Sequence, residues 1–239
     1  MGVMGAPMAR HLQTAGHQVK VFNRSHDKAR AWAQATGGAW AESAAEAADG
    51  AEVFVLCVGN DGDVREVVLD AAPATTAGAV IVDHTTASAR VAREMAAYCA
   101  DHGRSFLDAP VSGGQAGAEN GQLTVMAGGD AAAFSTAEPV LRAYSKAVTL
   151  MGPAGSGQLT KMVNQICIAG TVQGLAEAMH FVKCSGLDPE LVYAAISKGA
   201  AQSWQMDNRW KAMDDNRFDF GFAVDWMRKD LGLVLDEAR

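Results

Sequence analysis

Up to Gly152-Pro153 this chain alternates short, continuous apolar runs with helical stretches, and that alternation restricts its fold more than any other feature. The segments Val19 to Phe22, Val53 to Val58, Ala79 to Asp83, Phe106 to Asp108, Leu123 to Met126 and Ala147 to Leu150 read as strands. The run Val53 to Val58 has no polar alternation, as in a strand buried on both faces. Helical stretches separate most of them. Met4, Met8 and Leu12 recur every four residues, and Gly16 offers a left-handed cap after them. Further helices are expected over Ala29–Ala35, Val64–Leu69, Val91–Ala100 and Ala131–Tyr144.

The pattern changes after Pro153. From Ser156 to about Cys184 there is no Pro and no strand signal, and apolar residues lie nearly all round, which predicts one long, buried helix. Gly170 and Gly174, four apart, fit the close approach of a neighbouring helix. Gly186 ends the segment. Asp188 then supplies an N-cap and Pro189 a first helical residue. The rest, to Arg239, reads as further helix. The expected fold is α/β: a Rossmann-type, doubly wound, mostly parallel sheet over residues 1–153, then an all-α domain over 154–239. Such sheets usually begin with a central apolar strand, and none precedes Gly2. The last helix stops at Arg239 without a cap. Both ends are therefore expected to lack something.

Composition excludes several classes. Nearly half the residues are apolar and a fifth are charged, enough for a sizeable core. The formal net charge is −7, so there is no basic footprint for nucleic acid or an anionic membrane. No apolar run reaches transmembrane length. The four cysteines, Cys57, Cys99, Cys167 and Cys184, form no CxxC pair and no Cys/His cluster, so no metal is expected. Each sits in an apolar run, and they read as reduced core thiols of a cytoplasmic protein.

Several short motifs carry chemistry. Gly2-Val3-Met4-Gly5 leads straight into a helix. Gly2 and Gly5 match the second and third glycines of a dinucleotide fingerprint, whose backbone approaches a pyrophosphate at the helix N-terminus; a glycine-containing turn before a helix explains them as well. Where a ribose-binding acid would follow the next strand, the chain has Asn23-Arg24-Ser25. An Arg there can pair with a 2′-phosphate that an acid would repel, which favours NADP over NAD. The plainer alternative is a solvated loop Arg. Val58 and Thr86 follow two of the apolar strands, at the carboxyl edge where ligands bind. His84 is set aside as structural. Ser112-Gly113-Gly114 bares several backbone N–H groups and can nest a substrate carboxylate, or simply make a tight turn. Lys161 lies near the start of the long helix with Asn164 and Gln165 on its face. Such a lysine can exchange protons with a hydroxyl that the amides orient; it can equally snorkel to solvent.

Taken together, these motifs resemble the β-hydroxyacid dehydrogenases, the family of 3-hydroxyisobutyrate dehydrogenase, tartronate semialdehyde reductase and, more distantly, 6-phosphogluconate dehydrogenase. The resemblance runs from Gly2 to Arg239. It rests on Gly2 to Leu12, Asp108-Ala-Pro-Val-Ser-Gly-Gly114, Gly117-Ala118 with Gly121 to Thr124, Gly155-x-Gly157-x-x-x-Lys161, and Lys229-Asp230-Leu231. It implies a hydride transfer between NADP and a small 3-hydroxy acid or its semialdehyde. Gly2, Met4 and Gly5 would lie along the cofactor, with Asn23, Arg24 and Ser25 at its 2′-phosphate. Val58, Thr86 and Lys229 would lie near the nicotinamide. Ser112, Gly113 and Gly114 would bind the substrate carboxylate, and Lys161 would be the general acid/base. The family usually has Asn four residues after the lysine; here that place is Gln165. Lys161 also separates the chain from the imine reductases of the superfamily, which lack it. The resemblance implies a helical domain for substrate binding and oligomerisation, and a homodimer or homotetramer.

Two other readings compete. One is a non-catalytic cofactor- or ligand-binding member of the same fold, or an inactive fragment of it. The other is a short-chain dehydrogenase, which needs Tyr four residues before Lys; Tyr98, Tyr144 and Tyr193 all lack that lysine.

Overall fold

The computed structural model describes residues 1–219 and 221–239. Its elements in chain order are α1 (Gly5–Thr14), β1 (Lys20–Val21), α2 (His26–Thr36), β2 (Ala39–Trp40), α3 (Ala44–Ala48), β3 (Val53–Leu56), α4 (Asp61–Ala71), β4 (Val80–Asp83), α5 (Ala89–Asp101), β5 (Ser105–Asp108), β6 (Val111–Ser112), α6 (Gly114–Glu119), β7 (Leu123–Gly128), α7 (Ala131–Arg142), β8 (Ser145–Gly152), α8 (Ser156–Cys184), α9 (Pro189–Ile196), α10 (Trp204–Asp214) and α11 (Val224–Glu237). They form two compact units, residues 1–162 with 232–239, and residues 163–231.

The first unit is mixed α/β. β1 and β2 pair parallel to each other. Six further strands form a second sheet in the order β3-β4-β5-β7-β6, with β8 paired to β7. β3, β4 and β5 are parallel, and Leu56, Asp83 and Asp108 share one register row. β7 runs antiparallel to β5 and β6 but parallel to β8. Alternate side chains of the central strands enter different cores, as strand geometry requires. Val80, Val82 and Leu107 pack with Met8, Leu141 and Tyr144. Ile81 and Phe106 pack with Val64, Val68, Val91 and Met95. Helices thus cover both faces. Each fully buried side chain of the Ile81 or Leu107 kind contributes roughly 1.5–3 kcal/mol. A smaller core of Ala9, Val21, Ala29 and Trp32 joins α1, β1 and α2, and the Trp32 indole N–H donates to Ala6 O at 3.1 Å.

The helices start in two ways. Ser43, Asn60, Ser88 and Asp130 cap α3, α4, α5 and α7 through their side chains. α1 and α2 begin without a side-chain cap, leaving their first N–H groups to other acceptors.

In the second unit, Leu175, Met179 and Val182 of α8 pack on Met206 and Trp210 of α10. Asp188 caps α9 by accepting from the Glu190 and Leu191 N–H groups. The long helix is not buried all round, however. Val163, Ile166 and Phe181 are exposed, because one stripe suffices to meet α10. Nor does a helix approach Gly170 or Gly174: among the described residues, no atom of another element lies within 4 Å of where a Cβ would stand. The expectation of core thiols also needs correction. Cys99 alone is buried, and burial pushes its thiol up to about 12; Cys57, Cys167 and Cys184 are exposed and in no disulfide. An apolar run shows that a segment is in or near the core, but not which way one side chain points.

Candidate active site

Because β3, β4 and β5 are parallel and end in one row, their following loops leave the sheet at the same edge. Such an edge is where open α/β sheets bind ligands. The loops are tied together. Thr85 Oγ1 accepts from the Val58 N–H at 2.9 Å, and Asp83 Oδ1 accepts from the Thr85 N–H at 2.8 Å. Gln158, buried on α8, donates to Thr85 O at 2.7 Å and accepts from the Ala87 N–H at 3.0 Å. His84 is buried, with Nδ1 2.5 Å from Ala109 O and Nε2 2.8 Å from the Tyr144 hydroxyl. A carbonyl only accepts, so Nδ1 carries the proton and Nε2 accepts from Tyr144. Burial lowers His84 to about 4. It is a neutral cross-brace.

The start of α8 is held by Asp108. Its carboxylate accepts from the Gly155 N–H at 2.7 Å and the Gln158 N–H at 2.9 Å, which caps the helix from another strand. Burial raises Asp108 to about 6 against the pull of those donors. Gly157 makes the approach feasible, since a Cβ there would overlap Asp108 O and Met126 O. Four residues after Gly157, about one helical turn, comes Lys161, 8% exposed, whose Nζ donates to Val111 O at 2.8 Å. Val111 precedes Ser112, Gly113 and Gly114. The two glycines have φ of 129° and 59°, values that L side chains rarely adopt. The structure therefore brings Lys161 beside the turn read as a carboxylate nest.

The cofactor candidates also cluster by element. Gly2, Met4 and Gly5 form the turn into α1, whose first turn carries no acidic residue, and a Cβ at Gly2 would meet open space. Asn23, Arg24 and Ser25 follow β1. The Asn23 side chain accepts from the Ser25 N–H at 3.0 Å, an Asx turn that leaves its NH₂ as the donor. These groups fit an anionic dinucleotide: uncapped N–H groups, an exposed Arg and no side-chain carboxylate in the α1 turn. Among the described residues no group of three or more His, Cys, Asp or Glu is placed to hold a metal, and no helix is long and apolar enough to cross a membrane.

The remaining candidates belong to the second unit. The Asn164 amide donates to Gln165 Oε1 at 2.8 Å, and Gln165 Nε2 donates to Asp230 Oδ2 at 2.6 Å. Lys229 Nζ lies 3.3 Å from Asp230 Oδ1 and over the Trp226 ring. Asp230, quoted from sequence only within a motif and given no role there, thus organises three of the predicted residues. The buried roles of Asp83, Asp108 and Gln158 also went unread, since each needs partners far away in sequence.

Asp83 supports a pH prediction. Burial raises it to about 7, opposed by hydrogen bonds from Thr85 and reinforced by Asp108. An unfolded Asp ionises at about pH 4. The native chain therefore holds more protons than the unfolded chain between these values, and stability falls as pH rises through that window. From about pH 5 to pH 8 the loss from this group is on the order of 2 kcal/mol. Asp83→Asn should reduce the slope of unfolding free energy against pH there, measured by urea denaturation. An undiminished slope would contradict the assignment.

Comparison with known proteins identifies the family. Residues 1–152 match the model of the NAD-binding domain of 6-phosphogluconate dehydrogenase, and residues 155–239 that of the NAD-binding domain of NADP-dependent 3-hydroxyisobutyrate dehydrogenase. The whole chain is 61% identical to an oxidoreductase of Shewanella frigidimarina (strain NCIMB 400), covering 83% of that protein. It is 34% identical to 3-hydroxyisobutyrate dehydrogenase of Pseudomonas aeruginosa, again covering 83%. The Mycobacterium tuberculosis 3-hydroxyisobutyrate dehydrogenase structure with L-serine superposes with a TM-score of 0.89 at 33% identity, over 99% of this chain and 84% of that one. The chain belongs to the β-hydroxyacid dehydrogenases, NAD(P)-dependent oxidoreductases of small hydroxy acids.

Proposed function

We propose that this chain is an NADP-dependent 3-hydroxyacid dehydrogenase, or semialdehyde reductase, with Lys161 as its general acid/base. One observation carries the reading: Lys161 Nζ sits 2.8 Å from Val111 O, at the head of the Ser112–Gly114 turn. A carboxylate held by that turn's N–H groups and the Ser112 hydroxyl puts the substrate's hydroxyl-bearing carbon within reach of one amine. A bound nicotinamide supplies the hydride acceptor or donor. In oxidation Lys161 removes the proton from the substrate hydroxyl oxygen; in reduction it returns a proton to the carbonyl oxygen. The nest fixes the substrate so that only one oxygen meets Nζ. Asn164 and Gln165, three and four residues on along α8, are assigned to substrate orientation, and Lys229 to the nicotinamide side.

The NADP preference rests on Asn23, Arg24 and Ser25. α2 starts at His26 with no side-chain cap, and the Arg24 side chain is 86% exposed, so N–H donors and a guanidinium are offered at the turn, with Asp27 and Asp63 as the nearby acids. Gly2, Met4 and Gly5 are assigned to the pyrophosphate, and Val58 and Thr86 to the nicotinamide. We assign residues 1–153 to dinucleotide binding and 154–239 to substrate binding and self-association as a homodimer or homotetramer. Exposed Phe181, Leu191 and Trp204 support the last point. Suitable substrates are short acids of the hydroxyisobutyrate, glycerate or tartronate semialdehyde kind.

Arg24→Ala tests the cofactor half. NADPH affinity should fall about tenfold or more, the worth of a charge-assisted pair to phosphate, while NADH affinity stays level. Fluorescence titration measures both. An unchanged NADPH/NADH ratio would remove Arg24 from the 2′-phosphate site.

A further inference from the structure

Arg24 has a competitor for any phosphate. Its Nη1 lies 3.6 Å from Asp63 Oδ1, across from the loop that follows β3. The two partners are held very differently. Asp63 is only 23% exposed, and its Oδ2 accepts from the Gly59 N–H at 3.2 Å and the Asn60 amide at 3.1 Å. Its own N–H donates to Asn60 Oδ1 at 3.0 Å, so Asn60 and Asp63 cap α4 reciprocally. Arg24 is a long side chain in solvent. The carboxylate is therefore the fixed member of the pair and the guanidinium the one that can turn. Neighbouring Asp61 is occupied elsewhere, with its carboxylate on the Ser88 N–H and hydroxyl.

We infer that Asp63 is a specificity-determining residue that weakens the chain's preference for NADPH over NADH by holding Arg24 and repelling a 2′-phosphate. The inference rests on the NADP reading above. A phosphate monoester carries close to two negative charges and several strong acceptors, and an Arg fork engages it with two parallel hydrogen bonds. To do so, Arg24 must give up Asp63 and leave an anion beside another anion. A 2′-hydroxyl asks for neither change. Asp63 thus acts selectively on the phosphorylated cofactor. The sequence places no acid at Asn23-Arg24-Ser25 to discriminate against NADP; the structure brings one there from α4, thirty-nine residues further along by numbering.

The test is Asp63→Asn, which removes the charge and keeps an oxygen to accept from Gly59 and Asn60. NADPH and NADH are titrated by fluorescence at low and high salt. NADPH should bind about two- to fivefold more tightly than to the parent at low salt, the worth of an exposed ion pair. NADH affinity should hold, which also reports that the site is intact. The gain should shrink as salt screens the charges, and should be smaller in an Arg24→Ala background. Equal shifts for both cofactors, or no gain for NADPH, would overturn the inference. If Arg24→Ala removes the NADPH preference while Asp63→Asn does nothing, only the role of Asp63 fails. If Arg24→Ala changes nothing, the NADP reading fails with it.

Discussion

Replacing Lys161 with Ala should lower kcat by about 10²–10⁴-fold, the usual contribution of a positioned general acid/base, while NADPH binding survives. The side chain is enclosed, and its amine lies against Val111 O beside the Ser112–Gly114 turn. The truncated side chain would leave the nest and the cofactor turns in place but offer no group to take the hydroxyl proton. The fall should therefore appear in kcat more than in KM. Lys161→Arg separates chemistry from packing. It keeps a cationic donor for Val111 O, yet a guanidinium does not shed its proton in proteins. It should restore stability and not turnover. Wild-type kcat in Lys161→Ala would remove Lys161 from the mechanism.

Gly157→Ala should be strongly damaging for so small a substitution. A methyl at Gly157 meets Asp108 O and Met126 O, and Asp108 Oδ2 at 2.9 Å, so the obstruction is mostly backbone with nowhere to turn. The helix start would have to lift off Asp108, breaking the Gly155 and Gln158 hydrogen bonds. Overpacking costs about 1–3 kcal/mol, and each buried partner left unpaired costs about 1–3 kcal/mol more. A Tm lower by about 8 °C or more is expected for a chain of this size, measured by thermal unfolding. Turnover should fall too, because Lys161 rides on the same helix. Gly170→Ala, where no neighbour stands, serves as the contrast and should be nearly neutral or slightly stabilising. Equal Tm values for the two variants would contradict this view of the junction.

The legible part of the sequence was its periodicity. Ser156–Cys184 could be read as one helix because Gly155 and Gly186 bound an uninterrupted apolar-rich stretch. The central strands were legible because Val53 to Leu56 and Val80 to Val82 are apolar on both faces. β2 and β6 have two residues each, too few to show a period. The antiparallel course of β7 depends on its pairing with β5 and β6, which its own residues do not encode. Side-chain direction was the other gap. Cys57 and Cys99 both sit in apolar runs, and only one is buried. At the site, short motifs such as Ser112-Gly113-Gly114 announced themselves through residue type. Asp108 on the start of α8, Asp63 on Arg24 and Asp230 on Gln165 did not, since a carboxylate in sequence carries no sign of a partner several tens of residues away.

The proposed activity is hydride transfer between NADP and a short 3-hydroxy acid, with Lys161 handling the proton. The direct measurement is the loss of NADPH absorbance when the protein meets a panel of short semialdehydes, run beside Lys161→Ala. Steady NADPH consumption is expected with at least one three- or four-carbon semialdehyde acid, faster than with NADH, and almost none in the variant. NADPH that binds yet is not consumed by any of them, or is consumed equally by Lys161→Ala, would contradict it.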